Sequence, residues 1–323
     1  MHLDNTKLVT IFGGSGFIGR HVVQTLARSG VRMRVAVRRP DLAGHLQPLG
    51  GVGQIHAVQA NVRYPDSVRR AVDGADAVVS LVGILYETGK QRFSDVQAKG
   101  PETIARAAKA AGAQALVHVS AIGADAKSKS EYAQSKAAGE KATLKVFPDA
   151  VILRPSIVFG PEDDFFNRFA ALARIAPALP LIGGGHTRFQ PVYVGDVARA
   201  VAAALEGRAV AGSIYELGGP EVATFAGLMR KTLHHTGRSR LLVPVPFWTA
   251  RLKARFLQLL PSPMLTVDQV RLLETDNVVS AEANSQKRTL AGLGIDPQPM
   301  DAILPSYLYR FRARGEFSDT VKG

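Results

Sequence analysis

Tyr132-Ala-Gln-Ser-Lys136 places a phenol and an ammonium group one helical turn apart on the same face. A phenol is a poor acid near neutrality, and a neighbouring ammonium stabilises the phenolate and lowers its pKa. Such a phenol can protonate a carbonyl oxygen as a hydride arrives, or take the proton in the reverse direction. The lysine can also hydrogen-bond a ribose hydroxyl. Ser120, at the end of an apolar run twelve positions upstream, is placed to polarise a substrate oxygen. Taken alone, a Y-x-x-x-K match also fits a surface Tyr and Lys on an amphipathic helix. Its weight depends on what precedes it.

What precedes it is Phe12-Gly-Gly-Ser-Gly-Phe-Ile-Gly-Arg20, with Gly13, Gly16 and Gly19 in G-x-x-G-x-x-G spacing. Lys7 to Phe12 is short, apolar and β-branched and reads as a buried parallel strand. From Arg20 to Arg28, Val22, Val23, Leu26 and Ala27 share one helical face, and Ser29-Gly30 ends the helix. In such a strand–turn–helix unit, Gly13 allows the tight turn, Gly16 lets the backbone approach a pyrophosphate, and Gly19 lets helix and strand pack closely. The helix N-terminus adds free N–H groups and a positive dipole end. The alternative is a tight turn with no ligand, but the flanking strand and helix favour a nucleotide. The next strand, Val31 to Val37, is followed by Arg38-Arg39 where an NAD site would carry an acid for the ribose 2′-hydroxyl. Two guanidinium groups suit a 2′-phosphate, so NADP(H) is expected in preference to NAD.

The strand–helix alternation continues through Gln54–Gln59, a short helix at 66–72, Ala77–Val82, a helix at 101–111, Ala115–Ser120 and Ala150–Arg154. This rhythm specifies an α/β fold with a doubly wound parallel sheet. Ligands lie beyond the carboxyl ends of such strands. Asn61 and Val62, after the third strand, are therefore expected near the adenine, and Val82 and Gly83, after the fourth, beside the cofactor. The Pro- and Gly-rich stretch from Pro177 to Gly185 reads as a seam. Residues 1–180 would form the nucleotide-binding domain, with 191–218 returning to it, and 219–323 a smaller, mostly helical region for substrate or partner. The polar tail after Tyr309 is expected to be mobile.

The 323 residues, 46% hydrophobic, are enough for a substantial core. With no cysteine, disulfides, thiolate catalysis and cysteine metal sites are excluded. No apolar run approaches a membrane span, and MHLDNTK enters the first strand directly, so a cytoplasmic protein is expected. Most of the net charge of +13 is local: Val222 to Leu260 holds seven basic residues and no acid. Within it, Phe247 to Leu260 fits a helix whose arc of Trp248, Leu252, Phe256, Leu259 and Leu260 is flanked by Arg251 and Arg255 on one side and Lys253 on the other. Basic side chains snorkelling beside an apolar stripe suit an anionic membrane surface, although a helix packed on its own domain has the same pattern. No nucleic-acid motif accompanies the charge, and no nucleic-acid partner is expected.

GGSGFIG, YAQSK, LRPSIVFGPEDDFFN (Leu153 to Asn167) and PVYVGDVA (Pro191 to Ala198) together resemble the extended or atypical short-chain dehydrogenase/reductase superfamily, with its Rossmann fold. YAQSKAAGEK, the RPSIVFGPED block, QPVYVGDVARAV and the later PVPFW narrow this to the branch of the Rossmann-fold accessory subunit of respiratory complex I (alpha subcomplex subunit nine) and its bacterial relatives. The resemblance runs from about Lys7 to Asp296. It implies a tightly held, structural NADPH on a phosphate loop of Gly13, Ser15, Gly16, Phe17, Ile18 and Gly19. Arg38 and Arg39 would meet the 2′-phosphate, and Tyr132 and Lys136 would flank the nicotinamide ribose, with Pro155 nearby. It also implies complex I subunits as partners and a basic C-terminal region at the membrane edge, on the cytoplasmic face or the organellar matrix side. The segment between Ser120 and Tyr132 is shorter than in typical extended enzymes, which argues against a conventional sugar-nucleotide pocket. An enzyme reading stays open beside this one: an NADP-dependent oxidoreductase or epimerase that uses Tyr132 and Lys136 on a small, lipid-like or quinone-related substrate.

Overall fold

Apolar strands that alternate with helices must bury both faces, and they do so here in one parallel sheet. The computed structural model describes residues 1–260, 263 and 265–312; nearly all of the tail expected to be mobile lies outside them. The strands are β1 (Leu8–Phe12), β2 (Arg32–Val37), β3 (Ile55–Gln59), β4 (Ala77–Ser80), β5 (Ala115–Val119) and β6 (Val151–Pro155), joined at the edge by Ile214–Leu217. Their order is 214–217, β6, β5, β4, β1, β2, β3. Every pair is parallel, with Val9 of β1 beside both Met33 of β2 and Ala77 of β4. The chain therefore moves outward on one side of β1, returns, and builds the other half from β4. That reversal opens the sheet's carboxyl edge between β1 and β4.

The helices are α1 (Phe17–Ala27), α2 (Pro65–Val72), α3 (Lys99–Ala110) and α4 (Glu131–Val146), with a later helix at Val194–Leu205. Phe12, Val68, Val72, Val78, Ile104 and Leu116 belong to one buried cluster. Each such side chain contributes about 1.5–3 kcal/mol on leaving water. The helix at 194–205 is buried along almost its whole length, which explains the apolar run after Asp196.

The chain divides into two compact units. The first comprises Met1–Pro155, Val194–Leu217 and Val279–Asp296. Its last segment ties back to the edge strand: the Glu216 N–H donates to the Arg288 carbonyl (3.0 Å) and the Ser280 N–H to the Glu216 carboxylate (2.7 Å). The second comprises Ser156–Tyr193, Gly218–Val278 and the residues from Pro297 onward. Residues 156–180 thus group with the second unit, whereas the sequence reading places them with the nucleotide-binding domain. The stretch 177–185 is also no seam, since it lies inside the second unit: Ala178–Ile182 is a strand paired in parallel with Leu241–Val245. In a two-stranded pair each strand is an edge, so Pro180 is tolerated and the composition misleads.

The RPSIVFGPED block organises the second unit. Asp163, 2% exposed, accepts hydrogen bonds from the Gly160 and Asn167 amides (3.2 and 3.1 Å) and from the Tyr307 hydroxyl (2.5 Å). Around it Phe159, Phe165, Phe166, Phe169, Phe189 and Phe225 form a chain of edge-on and tilted rings. In the helix Phe247–Leu257 the small residues Ala250 and Ala254 turn inward. Phe247 is half-buried, whereas Trp248 (66% exposed), Leu252 and Phe256 (69%) turn out, as does Leu259 (79%) just past the helix end.

Candidate nucleotide-binding site

The glycine loop leaves β1 and enters α1. Gly13 sits at φ +82°, a conformation L side chains rarely adopt, and its N–H donates to the Ala36 carbonyl at the end of β2 (3.2 Å). A Cβ on Gly19 would lie 2.3 Å from the Gly13 carbonyl oxygen, so this position admits no side chain and α1 starts tight against the loop. Gly16 is the N-cap in extended conformation, with no capping side chain and no acid in the first turn. The positive end of α1 therefore faces out uncapped. Ser15, Phe17 and Ile18 are half-buried around it.

Across the β1–β4 opening, a Cβ on Gly13 would touch the Leu81 backbone at 3.3 Å, which places Val82 and Gly83 beside the glycine loop. A Cβ on Gly83 would in turn lie 3.2 Å from the Lys136 Nζ. Lys136 is 5% exposed, and its ammonium donates to the Val119 carbonyl (3.4 Å). A buried bridge holds α4 here: the Ile84 N–H donates to the Gln97 Oε1 (3.1 Å), the Gln97 amide to the Ser135 hydroxyl (2.9 Å), and that hydroxyl to the Tyr132 carbonyl (2.7 Å). Pro155 is buried at the end of β6, and its carbonyl accepts the Ile122 N–H (3.0 Å).

The electrostatics differ from the sequence expectation. Burial pushes the Tyr132 phenol up to about 12. Burial also brings the Lys136 ammonium down to about 8, with the Glu140 carboxylate opposing. The Nζ stands 5.8 Å from the Tyr132 ring centroid, a cation–π separation, while the Phe93 ring meets Tyr132 edge-on at 6.0 Å. Losing water dominates both titrations. Ser120 is 4% exposed, and its hydroxyl has no hydrogen-bond partner among the described residues. His118, also fully buried, faces the Ser80 hydroxyl (3.1 Å) and is held neutral near 3 by burial and by Lys136. Neither His118 nor Gln97 stands out in the sequence, because each sits in an otherwise ordinary strand or helix segment.

At the other end, Arg38, Asn61 and Arg70 line a hollow of about 440 Å³. The Asn61 carboxamide accepts the Arg63 N–H (3.1 Å), and the Ser67 hydroxyl bonds the Asn61 backbone, fixing this turn. Val62 is buried against Gly100. Arg39 is turned to Asp41 (3.0 Å) on the following turn. A glycine cradle that admits no Cβ, an uncapped helix end, an ammonium beside Gly83 and a basic hollow fit a dinucleotide. Among the described residues no cluster of side chains suits a metal ion.

A parallel sheet in this order, with these loops along its carboxyl edge, defines a nucleotide-binding Rossmann protein. More particularly, the chain belongs to the NAD dependent epimerase/dehydratase family, whose model matches residues 9–218. It is 35% identical, over 97% of its length and 80% of the relative's, to NADH dehydrogenase [ubiquinone] 1 alpha subcomplex subunit 9, mitochondrial, of Arabidopsis thaliana. It is 34% identical to the ceramide reductase of Caulobacter vibrioides over 61% of each chain. Among solved structures it is similar to gox2253, with TM-score 0.70, 20% identity, and 96% of this chain and 100% of that one covered.

Proposed function

We propose that this protein is an accessory or assembly subunit of a respiratory complex I that holds NADP(H) as a structural group. The observation that carries the reading is the extent of the likeness. The family model ends at residue 218, but the identity with the alpha subcomplex subunit nine protein continues over 97% of the chain, through the basic stretch at 222–260. The pyrophosphate would lie on Gly13, Ser15, Gly16, Phe17, Ile18 and Gly19, and the adenine by Asn61 and Val62. The nicotinamide ribose would lie by Val82, Gly83, Lys136, Tyr132 and Pro155. When bound, the nucleotide supplies a hydride-bearing ring.

The exposed arc of Trp248, Leu252, Phe256, Leu259 and Leu260, with Lys253 and Arg255 beside it, supports peripheral attachment to an anionic membrane. No helix of the described residues is long and apolar enough to cross one.

A second reading, an NADP-dependent reductase of a lipid-like substrate, is favoured by the intact Tyr132–Lys136 pair and by the likeness to a ceramide reductase. The experiment is to purify the protein gently from its native cells and identify the released nucleotide by mass, before and after incubation with native metabolites and lipids. Stoichiometric NADPH that stays reduced supports the structural role. Conversion to NADP⁺ supports the reductase. No retained nucleotide overturns the first reading.

A further inference from the structure

We propose that Arg70 of α2 and Arg38 of β2 together receive the 2′-phosphate of the nucleotide, and that Arg39 takes no part. This inference rests on NADP(H) being the nucleotide. Arg38 and Arg70 line the same hollow, with Ala60 and Asn61 between β3 and α2 lining it too. Both guanidinium groups are exposed, and neither has an ion-pair or hydrogen-bond partner among the described residues. The one carboxylate lining the hollow, Asp66, is paired with Arg69 at 3.2 Å. Two unneutralised cations that share a hollow repel one another, and a polyoxygen anion between them removes the repulsion. Planar guanidinium forks match phosphate oxygens bidentately, so this anion is a phosphate. Arg39, by contrast, spends its charge on Asp41 and does not line the hollow. Arg70 also lies in the last turn of α2, where a cation complements the helix dipole without any ligand. The test must separate that role from phosphate recognition.

The full chain is titrated calorimetrically with 2′,5′-ADP and with 5′-ADP, two probes that differ only in the 2′-phosphate. The wild type is expected to prefer 2′,5′-ADP. Arg70→Ala is expected to reduce 2′,5′-ADP affinity by about tenfold or more, the scale of a charge-assisted phosphate contact. Its 5′-ADP affinity and its nucleotide-free melting temperature should be unchanged, and Arg69→Ala should alter neither probe. If the wild type shows no preference, NADP(H) is the wrong nucleotide and this inference falls with it. If the wild type prefers 2′,5′-ADP and Arg70→Ala keeps that preference, NADP(H) stands and the assignment of Arg70 is overturned. Equal weakening of both probes by Arg70→Ala marks a structural role and also overturns it.

Discussion

The ammonium of Lys136 lies 3.4 Å from the carbonyl oxygen of Val119 and is almost wholly withdrawn from water. Its pKa falls to about 8, so the folded chain binds the proton less well than the unfolded chain does. Stability of the nucleotide-free protein should therefore rise with pH between about 8 and 10.5, as the unfolded lysine remains protonated while the folded one is neutral. The effect is on the order of 3 kcal/mol over that window, and it is lost as pH falls through 8. Lys136→Met should flatten this dependence in denaturant titrations and stabilise the nucleotide-free chain at pH 7 by about 1–3 kcal/mol, while weakening nucleotide retention. A steeper pH dependence in the variant would contradict the argument.

Tyr132 tests whether chemistry is done. It is half-buried and packed edge-on by Phe93, so Tyr132→Phe keeps the ring contact and removes only the hydroxyl. A structural cofactor predicts that the variant still releases one NADPH per chain and still supports complex I assembly on native gels. Loss of a cellular product with nucleotide retained would instead make the phenol a working acid.

Gly19→Ala puts a methyl group 2.3 Å from the Gly13 carbonyl and 2.5 Å from the Gly14 Cα, both backbone atoms that cannot rotate away. The helix start must shift, at a cost of about 1–3 kcal/mol. Thermal unfolding should fall by several degrees, and nucleotide should no longer copurify. Gly44→Ala, where nothing lies within 4 Å of the added Cβ and the backbone is not left-handed, controls for the effect of an added methyl alone.

The sole tryptophan, Trp248, stands on the exposed arc, so its emission reports directly on membrane contact. Anionic vesicles at low salt should shift it to the blue and sediment the protein, and high salt should release it. Leu252→Ala with Phe256→Ala should reduce vesicle affinity by about tenfold or more, since each buried apolar side chain is worth about 1.5–3 kcal/mol. Melting temperature should hardly change, because both residues are already solvated. Emission and sedimentation indifferent to anionic vesicles would refute the docking role.

The parts legible in the amino-acid sequence are those governed by local spacing. The apolar run before Gly13 and the helical face of Val22, Val23 and Leu26 mark a strand–turn–helix before any tertiary contact is known, because periods of 2 and 3.6 residues are properties of the chain itself. The same holds for the order of strands and helices up to β6, and for Tyr132 and Lys136 sharing a helix face.

Other features depend on what lies across the sheet. The sequence marks an apolar arc from Trp248 to Leu260, yet only packing decides that Ala250 and Ala254 turn inward and the large residues outward. Pro177 to Gly185 has linker composition, and its strand is known only from its partner, sixty-three positions away at Leu241 beside Ala178. Arg38 and Arg39 are adjacent and chemically identical, but one lines the hollow and the other bends to Asp41. The phenol and ammonium were readable as a pair. Their titration was not, because desolvation depends on every neighbour that excludes water: Phe93 and Gln97 arrive from one segment and His118 from another. Local periodicity thus determined which elements form and where a nucleotide would be held. Only tertiary packing, through burial and long-range pairing, decided which of the candidate side chains line the hollow and which are withdrawn from water.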